Sequence, residues 1–260
     1  MRDVTALARD WIARADRIVV LTGAGVSAES GVPTFRGTDG LWREFRPEDL
    51  ATPAAFARDP RLVWEWYDWR RRRIAECRPN AAHLALAKLA IARGDGEVRI
   101  VTQNVDGLHA VAAREARPAL APPGRADAAL PLELHGSLFR VRCPACGARY
   151  GLVEPIDASS AESLPRCRRC HSLVRPDVVW FGEALDDAVL NEAVARARTA
   201  DVCLVVGTSA VVQPAASLAM VTKRAGGQLI EVNPDTTPLT PFADVSIRGT
   251  AADVVPRVVE

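Results

Sequence analysis

The segment RIVVLTGAGVSAESG, residues 17–31, decides the fold of this chain. It joins a short β-branched run, residues 17–21, to a glycine-rich turn. Apolar character without alternation is typical of a strand that is buried on both faces of a parallel sheet. Glycines directly after such a strand let backbone N–H groups approach a pyrophosphate closely, and a following helix would point its positive end there. The segment therefore predicts an α/β fold with a nucleotide site after its first strand.

The glycine spacing differs from the dehydrogenase fingerprint. Gly31 arrives too late, which gives G-x-G-x5-G in place of G-x-G-x-x-G. No acidic residue ends a second strand about twenty residues further on, as that fingerprint requires. Taken alone, the glycines fit an ordinary strand-to-helix turn as well as a phosphate cradle.

Comparable apolar runs recur along the chain and predict a Rossmann-like parallel sheet. They are residues 98–101, 131–134, 178–180, 202–206 and 228–232. Small or polar residues follow most of these runs, at the carboxyl ends of the strands, where open α/β sheets bind ligands.

Two segments interrupt this alternation of strands and helices: residues 33–78 and residues 136–177. We predict that they form a smaller domain, made of a helical module and a zinc-binding module. The nucleotide-binding sheet domain would then consist of residues 1–32, 79–135 and 178–260.

Two Cys-x-x-Cys pairs lie in the second interrupting segment. Cys143 with Cys146, and Cys167 with Cys170, are separated by 20 residues. This ribbon-like spacing lets two turns bring four thiolates to one tetrahedral zinc ion. Because four thiolates leave no position for water or substrate, we predict a structural ion. A nucleic-acid-binding ribbon is the competing interpretation, and the arginines beside the second pair give it some support.

The bulk properties argue against several classes of partner. A net charge of +1 gives no electrostatic argument for nucleic acid or a membrane as the main partner. The longest apolar stretch, residues 202–221, is interrupted by Gly207 and Pro214 and cannot span a bilayer. Six cysteines without an export signal favour metal binding over disulfides, so we expect a cytoplasmic protein. We also expect a monomer, with the Ala- and Pro-rich residues 114–130 as an exposed insertion.

A longer pattern extends from the glycine turn. The stretch GAGVSAESGVPTFRG, residues 23–37, resembles the sirtuin family of NAD-dependent protein-lysine deacylases. Further blocks of that family follow in order: TQNVDGLH (102–109), LHG (134–136), both Cys-x-x-Cys pairs, VWFGE (179–183), GTS (207–209) and NP (233–234). The resemblance runs from about residue 17 to residue 251. Ala113 departs from it, because a glycine usually follows the Leu-His block, and so does the length of the insertion.

The resemblance implies that NAD is consumed as a co-substrate. In this family the acyl-lysine oxygen attacks C1′ of the nicotinamide ribose, nicotinamide leaves, and the acyl group ends on ADP-ribose. His135 would be the general base for a ribose hydroxyl, because the unperturbed pKa of imidazole, about 6.5, lies near the working pH. Asn104 and Asp106 would join it as catalytic residues at the nicotinamide ribose. Either could instead be a turn residue that caps the next helix.

The same resemblance implies the residues that contact NAD. Phe35 and Arg36 would cover the cofactor, and Ser209 and Asn233 would lie at the adenosine ribose. The predicted cofactor set is Gly23, Ala24, Gly25, Ser27, Glu29, Phe35, Arg36, Trp42, Gln103, Asn104, Val105, Asp106, Gly207, Thr208, Ser209, Asn233, Pro234, Asp235 and Ala251. The remaining histidines, His83, His109 and His171, are expected to be packed or solvated.

Tyr67 and Arg70 are the candidates for acyl recognition. A spacing of three places both on one helical face. A guanidinium can bind a carboxylate through two parallel hydrogen bonds, and a phenol can add a third. Their positions resemble the subgroup that prefers succinyl, malonyl and glutaryl groups, although Arg70 could instead be the first of four surface arginines. The predicted substrate-binding set is Tyr67, Arg70, Ala51, Val179, Phe181 and Gly182.

Three functions follow from these observations. The first is an NAD-dependent deacylase of acyl-lysine proteins, with O-acyl-ADP-ribose and nicotinamide as products. The alternative is an NAD-dependent protein ADP-ribosyltransferase on the same scaffold. A non-catalytic NAD-binding scaffold is the third, and the presence of His135, Asn104 and Asp106 together argues against it.

Overall fold

The computed structural model describes residues 3–34, 46–93, 97–117 and 129–260. Phe35, Arg36 and Trp42 of the predicted cofactor set lie outside the described residues, as does most of the predicted insertion. The strands are β1 (Ile18–Thr22), β2 (Val98–Thr102), β3 (Leu132–Glu133), β4 (Gly136–Arg142), β5 (Arg149–Gly151), β6 (Arg175–Val178), β7 (Val202–Val206), β8 (Gln228–Val232) and β9 (Val245–Ile247). The helices are α1 (Val4–Arg14), α2 (Gly25–Ala28), α3 (Pro47–Leu50), α4 (Pro53–Arg58), α5 (Pro60–Ala75), α6 (Ala81–Arg93), α7 (Leu108–Glu115), α8 (Asp187–Thr199), α9 (Ser217–Arg224) and α10 (Ala251–Val259).

Six of these strands form a parallel sheet in the order β3-β2-β1-β7-β8-β9. Strand β1 lies between β2 and β7, and all its residues are buried, as are those of β7. One face packs against α1, α6, α7 and α10, and the other against α8 and α9. Cover on both faces explains why these strands are mainly apolar. The predicted Rossmann-like α/β class is confirmed, and the carboxyl ends of β1 and β7 meet where the strand order reverses.

One predicted strand belongs elsewhere. We expected residues 178–180 to join the parallel sheet, but the strand in this region, β6, pairs antiparallel with β4. Together with β5 they form a second sheet in the order β5-β4-β6. The prediction was wrong because only Val178 of this run belongs to a strand. The other residues of β6 are Arg175, Pro176 and Asp177, which form no apolar pattern. The sixth parallel strand is β9, which was missed because it has only three residues, one of them Ser246.

The two interrupting segments share a hydrophobic cluster. Helix α4 contributes Ala55, α5 contributes Trp64 and Tyr67, and the small sheet contributes Leu138 and Val178. Trp64 is fully buried and donates its indole N–H to the Val174 carbonyl at 3.0 Å. The helical module and the cysteine module therefore pack on each other.

The described helices are short. The longest of them, α5, has 16 residues. Within the described ranges no helix combines the length and the apolar character that crossing a bilayer requires.

Gly136 joins the large sheet to the small one. It follows His135 with φ +78°, a conformation that favours glycine. A Cβ at this position would lie 2.0 Å from the carbonyl oxygen of Asp177, on the neighbouring strand β6. Only glycine lets β4 and β6 approach this closely beside His135.

We predict that Gly136→Ala destabilises the fold more than Gly226→Ala does. Gly226 has φ +94° and would place a Cβ in open space. Both variants lose about 1–2 kcal/mol through the left-handed backbone. Gly136→Ala should lose about 1–3 kcal/mol more, because the new methyl group overlaps the Asp177 carbonyl. The free energy of unfolding, from urea titration, measures both losses, and equal losses would contradict the prediction.

Candidate active site

A cleft of about 800 Å³ lies at the carboxyl ends of the parallel strands. The loops after β1, β2, β7 and β8 line it on one side, and residues of α5 and of the segment after β6 line it on the other. Ligand pockets in proteins commonly have about 300–1,000 Å³. Its volume therefore suits a large ligand or two adjacent ones.

The glycine turn fits closely against the loop after β7. The Gly25 N–H donates to the Gly207 carbonyl at 2.8 Å, and a Cβ on Gly25 would lie 2.7 Å from that oxygen. A Cβ on Gly23 would lie 2.7 Å from Thr208 Cα. These N–H groups are used within the protein, and α2 is only one turn long. The close contact at the two glycines therefore brings two cleft-lining loops together.

His135 presents one ring nitrogen as a base. Its Nδ1 lies 2.9 Å from the backbone carbonyl of Gln103. Because a carbonyl only accepts, Nδ1 carries the proton and Nε2 keeps its lone pair. Burial lowers the pKa of His135, and the hydrogen bond to Gln103 opposes this in part. His135 lines the cleft, so a neutral imidazole is placed where a ligand proton could be taken.

Ser27 and Asp106 hold the side chain of Asn104 in place through a chain of hydrogen bonds. Its side-chain amide donates to Ser27 Oγ at 3.1 Å, and Ser27 donates to Asp106 Oδ2 at 2.8 Å. Asp106 also accepts the Leu108 N–H at 2.9 Å, at the start of α7. Burial raises the pKa of Asp106, and these two hydrogen bonds and the charge of Arg70 oppose that shift. Asn104 lines the cleft, but Ser27 and Asp106 lie behind it, and Asp106 has the contacts of the capping alternative.

The later strands supply the opposite end of the cleft. The Asn233 side chain donates to the Thr208 carbonyl at 2.8 Å, and the Gln103 side chain donates to Thr208 Oγ1 at 3.0 Å. Glu29 accepts from the Thr250 hydroxyl and the Ala252 N–H, at 2.8 and 2.7 Å. The predicted cofactor residues that line the cleft are Gly23, Ala24, Gly25, Glu29, Gln103, Asn104, Val105, Gly207, Thr208, Ser209, Asn233, Pro234, Asp235 and Ala251.

Tyr67 and Arg70 lie in the wall of the cleft. Only 3% and 5% of their surfaces are exposed, so Arg70 is not a surface arginine, in contrast to Arg72 and Arg73. Trp180 Nε1 donates to the Tyr67 hydroxyl at 2.8 Å. Burial lowers the pKa of Arg70 to about 10, although the charges of Tyr67 and Asp106 act in the opposite direction.

The remaining predicted substrate residues are nearby, and several cleft residues were missed. Ala51, Val179, Phe181 and Gly182 line the same cleft. Trp66, whose ring lies 4.8 Å from the Arg70 guanidinium, was not predicted. Neither were Trp180 and Glu183, nor residues 211–214 and 236–238. Trp180 and Glu183 could have been found, because they belong to the VWFGE block, whereas the two loops carry no distinctive residue types.

The other histidines have the contacts expected of structural residues. His83 and His109 are buried, with ring centroids 4.7 Å apart. Burial lowers the pKa of His83 to about 4 and that of His109 well below its usual value. His171 is exposed beside Cys170. None of these three lines the cleft.

The four cysteines of the small module fit a tetrahedral metal ion. Their sulfur atoms all lie within 4.8 Å of one another, with 3.4 Å between Cys143 and Cys170 and 3.6 Å between Cys146 and Cys167. Zinc–sulfur bonds of about 2.3 Å in a tetrahedron require sulfur atoms about 3.8 Å apart. The donor set and its spacing suit zinc, and no cysteine of this cluster lines the cleft.

Comparison with known proteins gives a consistent result. The sequence profile described as the Sir2 family matches residues 23–214. The "NAD-dependent protein deacylase 2" of Pyrobaculum aerophilum is 50% identical over 252 residues, which cover 96% of this chain and 93% of that protein.

Solved structures agree in fold over the same length. A Sir2 homolog in complex with NAD superimposes with a TM-score of 0.84 at 47% identity, covering 98% of this chain and 92% of that one. A Sir2 mutant with a deacetylated p53 peptide and 3′-O-acetyl ADP-ribose has a TM-score of 0.82 at 30% identity, covering 98% and 96%. The chain belongs to the Sir2, or sirtuin, family.

Proposed function

We propose that this protein is an NAD-dependent protein-lysine deacylase that prefers acyl groups ending in a carboxylate. The observation that carries the proposal is one cleft that holds both an unprotonated imidazole nitrogen and a buried guanidinium. The first can accept a proton from a sugar hydroxyl, and the second can bind a negative charge.

The relatives support the NAD-dependent part. Those that match over most of the chain carry the name NAD-dependent protein deacylase, and one solved homolog holds NAD. When bound, NAD supplies a glycosidic bond whose cleavage releases nicotinamide and leaves the ribose carbon open to attack. In this chain Asn104 would orient a ribose hydroxyl, and His135 Nε2 would accept its proton. Asn233 and the loop at Gly207 would hold the adenosine end.

The four-cysteine cluster would stabilise the fold and take no part in the reaction. When bound, zinc would be held by Cys143, Cys146, Cys167 and Cys170 and would link the two turns of the module. Because four thiolates fill its coordination, it would leave no position for a reacting water.

The hydrogen bond from Trp180 orients Tyr67 for a second contact. An indole N–H is only a donor, so the phenol oxygen accepts from it. The phenol proton is therefore available for another acceptor. The Arg70 guanidinium lies 5.9 Å from the centroid of the Tyr67 ring, and all three residues line the cleft.

A carboxylate on the acyl chain would bind the buried guanidinium of Arg70. A buried cation is costly, and the lowered pKa of Arg70 reflects that cost. A succinyl, malonyl or glutaryl tip could accept two hydrogen bonds from the guanidinium and one from Tyr67. Ala51 is small enough to leave room beside it. An acetyl group would make none of these charge contacts.

The direct test uses matched succinyl- and acetyl-lysine peptides with NAD. We expect NAD-dependent loss of the acyl mass from the peptide, one nicotinamide per turnover, and a higher kcat/KM for succinyl. His135→Ala should lower kcat by at least about 100-fold, the usual scale of general base catalysis. His171→Ala, which changes an exposed histidine outside the cleft, serves as the control. ADP-ribose on the peptide with its acyl group retained would instead identify a transferase.

The pH profile follows from the environment of His135. Burial lowers its pKa, so the neutral form that acts as base is retained below the usual value of about 6.5. We expect log kcat/KM to stay level as the pH falls from 7.5 to 6.5 and to decline only below that. Initial rates in buffers of constant ionic strength measure this, and an acid limb centred above pH 7 would contradict the assignment.

Arg70→Met should reduce kcat/KM for succinyl-lysine by roughly ten- to a hundredfold, because a hydrogen bond to a charged group contributes about 1.5–3 kcal/mol. Acetyl-lysine should change by less than about threefold, since it has no carboxylate to lose. Arg73→Met removes an exposed arginine from the same helix and is the matched control. Equal losses on both peptides would show that Arg70 does not recognise the acyl group.

A further inference from the structure

The turn Trp180–Glu183 forms part of the cleft wall and closes on itself. The Glu183 N–H donates to the Trp180 carbonyl at 3.0 Å. In return the Trp180 N–H donates to Glu183 Oε2 at 2.9 Å. Gly182 has φ +85°, the left-handed conformation that such a turn needs in its third position. The Glu183 side chain is thus part of the turn and does not extend into solvent.

Two arginines from the small sheet hold the same carboxylate. Arg175, on β6, donates to Oε1 at 2.6 Å and to Oε2 at 3.0 Å. Arg142, at the end of β4, donates from one terminal nitrogen to both oxygens, at 2.8 and 2.7 Å. Burial alone would raise the pKa of Glu183, but the bonds from Arg175 and Trp180 and the two positive charges lower it. One ionised carboxylate therefore joins the turn to two strands.

Arg175 also fixes the position of the Trp180 indole ring. The Arg175 guanidinium lies 3.2 Å from the centroid of the Trp180 indole. The N–H of the same indole bonds to Tyr67. Glu183 thus fixes, through Arg175, the ring of Trp180 within the turn.

We propose that Glu183 is a positioning residue for the acyl-lysine peptide, which holds the Trp180–Glu183 turn in its binding shape through Arg142 and Arg175. The inference rests on the proposed function only in naming the peptide as occupant of the cleft. Glu183 acts through the turn, so its loss should weaken succinyl- and acetyl-lysine peptides equally. Arg70 acts on the acyl tip, so its loss should weaken mainly the succinyl-lysine peptide.

The test is Glu183→Gln, which keeps the size of the side chain and removes its charge. The two arginines would then face each other with one neutral acceptor between them. We expect KM for the peptide to rise about tenfold, equally for succinyl and acetyl, with kcat and KM for NAD within twofold of wild type. Hydrogen–deuterium exchange should quicken at least tenfold at the Trp180 amide. Glu65→Gln, the same change on an exposed face of α5, should alter none of these values.

A second variant tests the mechanism through the arginine pair. Arg142→Gln alone leaves Arg175 on the carboxylate and should raise the peptide KM by less than Glu183→Gln. In the double variant, Arg142→Gln with Glu183→Gln, the Arg175 guanidinium no longer faces a second cation across the neutral side chain. The double variant's increase in peptide KM should therefore be smaller than the product of the two single increases.

Other outcomes would overturn the inference. In Glu183→Gln they are a KM for NAD that rises as much as the KM for the peptide, or an unchanged exchange rate at the Trp180 amide. In the double variant, the contradicting outcome is an increase in peptide KM equal to the product of the two single increases. Exchange and the binding of a labelled peptide need no turnover. A failure of the proposed function would therefore show in the wild-type assay, and a failure of this inference would show in the variants.

Discussion

The structure depends on the contact between the loops that follow β1 and β7. These strands are neighbours in the parallel sheet, and their carboxyl ends lie where the strand order reverses. Gly23 and Gly25 approach Gly207 and Thr208 so closely that no side chain fits between them. Because of this contact, both loops line one cleft together with the residues that follow β2 and β3. A bulkier residue at either glycine would separate the two halves of the site.

Two carboxylates beside this cleft, the partly buried Glu183 and the buried Asp106, have hydrogen-bond partners that explain their presence. Glu183 is held by two arginines, and Asp106 accepts from Ser27 and a helix N-terminal amide. Such groups are expensive to bury and costly to change singly, because removing one partner leaves the other unsatisfied. This arrangement favours a cleft wall with one defined shape, which suits discrimination between ligands.

Much of this architecture could be predicted from local sequence. The parallel strands other than β9 follow from runs of apolar residues, and the cysteine cluster follows from its spacing. Most of the predicted cleft residues were implied by the resemblance to the sirtuin family. That residues 178–180 stay outside the parallel sheet could not be predicted, because this apolar run meets β6 only at Val178. The contact of Ser27 with Asp106 and that of Arg142 with Glu183 join residues far apart in the chain. Spacing alone carries no information about such pairs.

The hydrophobic cluster shared by the two interrupting segments has a consequence for biosynthesis. Helix α5 ends at Ala75, but the strand residues it packs on begin at Leu138. At about 5–20 residues per second, a ribosome needs roughly 3–12 seconds to make the intervening chain. Until then Trp64 and its neighbours on α5 lack the strand residues that bury them in the folded protein. The helical segment therefore cannot complete its packing before the small sheet has been synthesised.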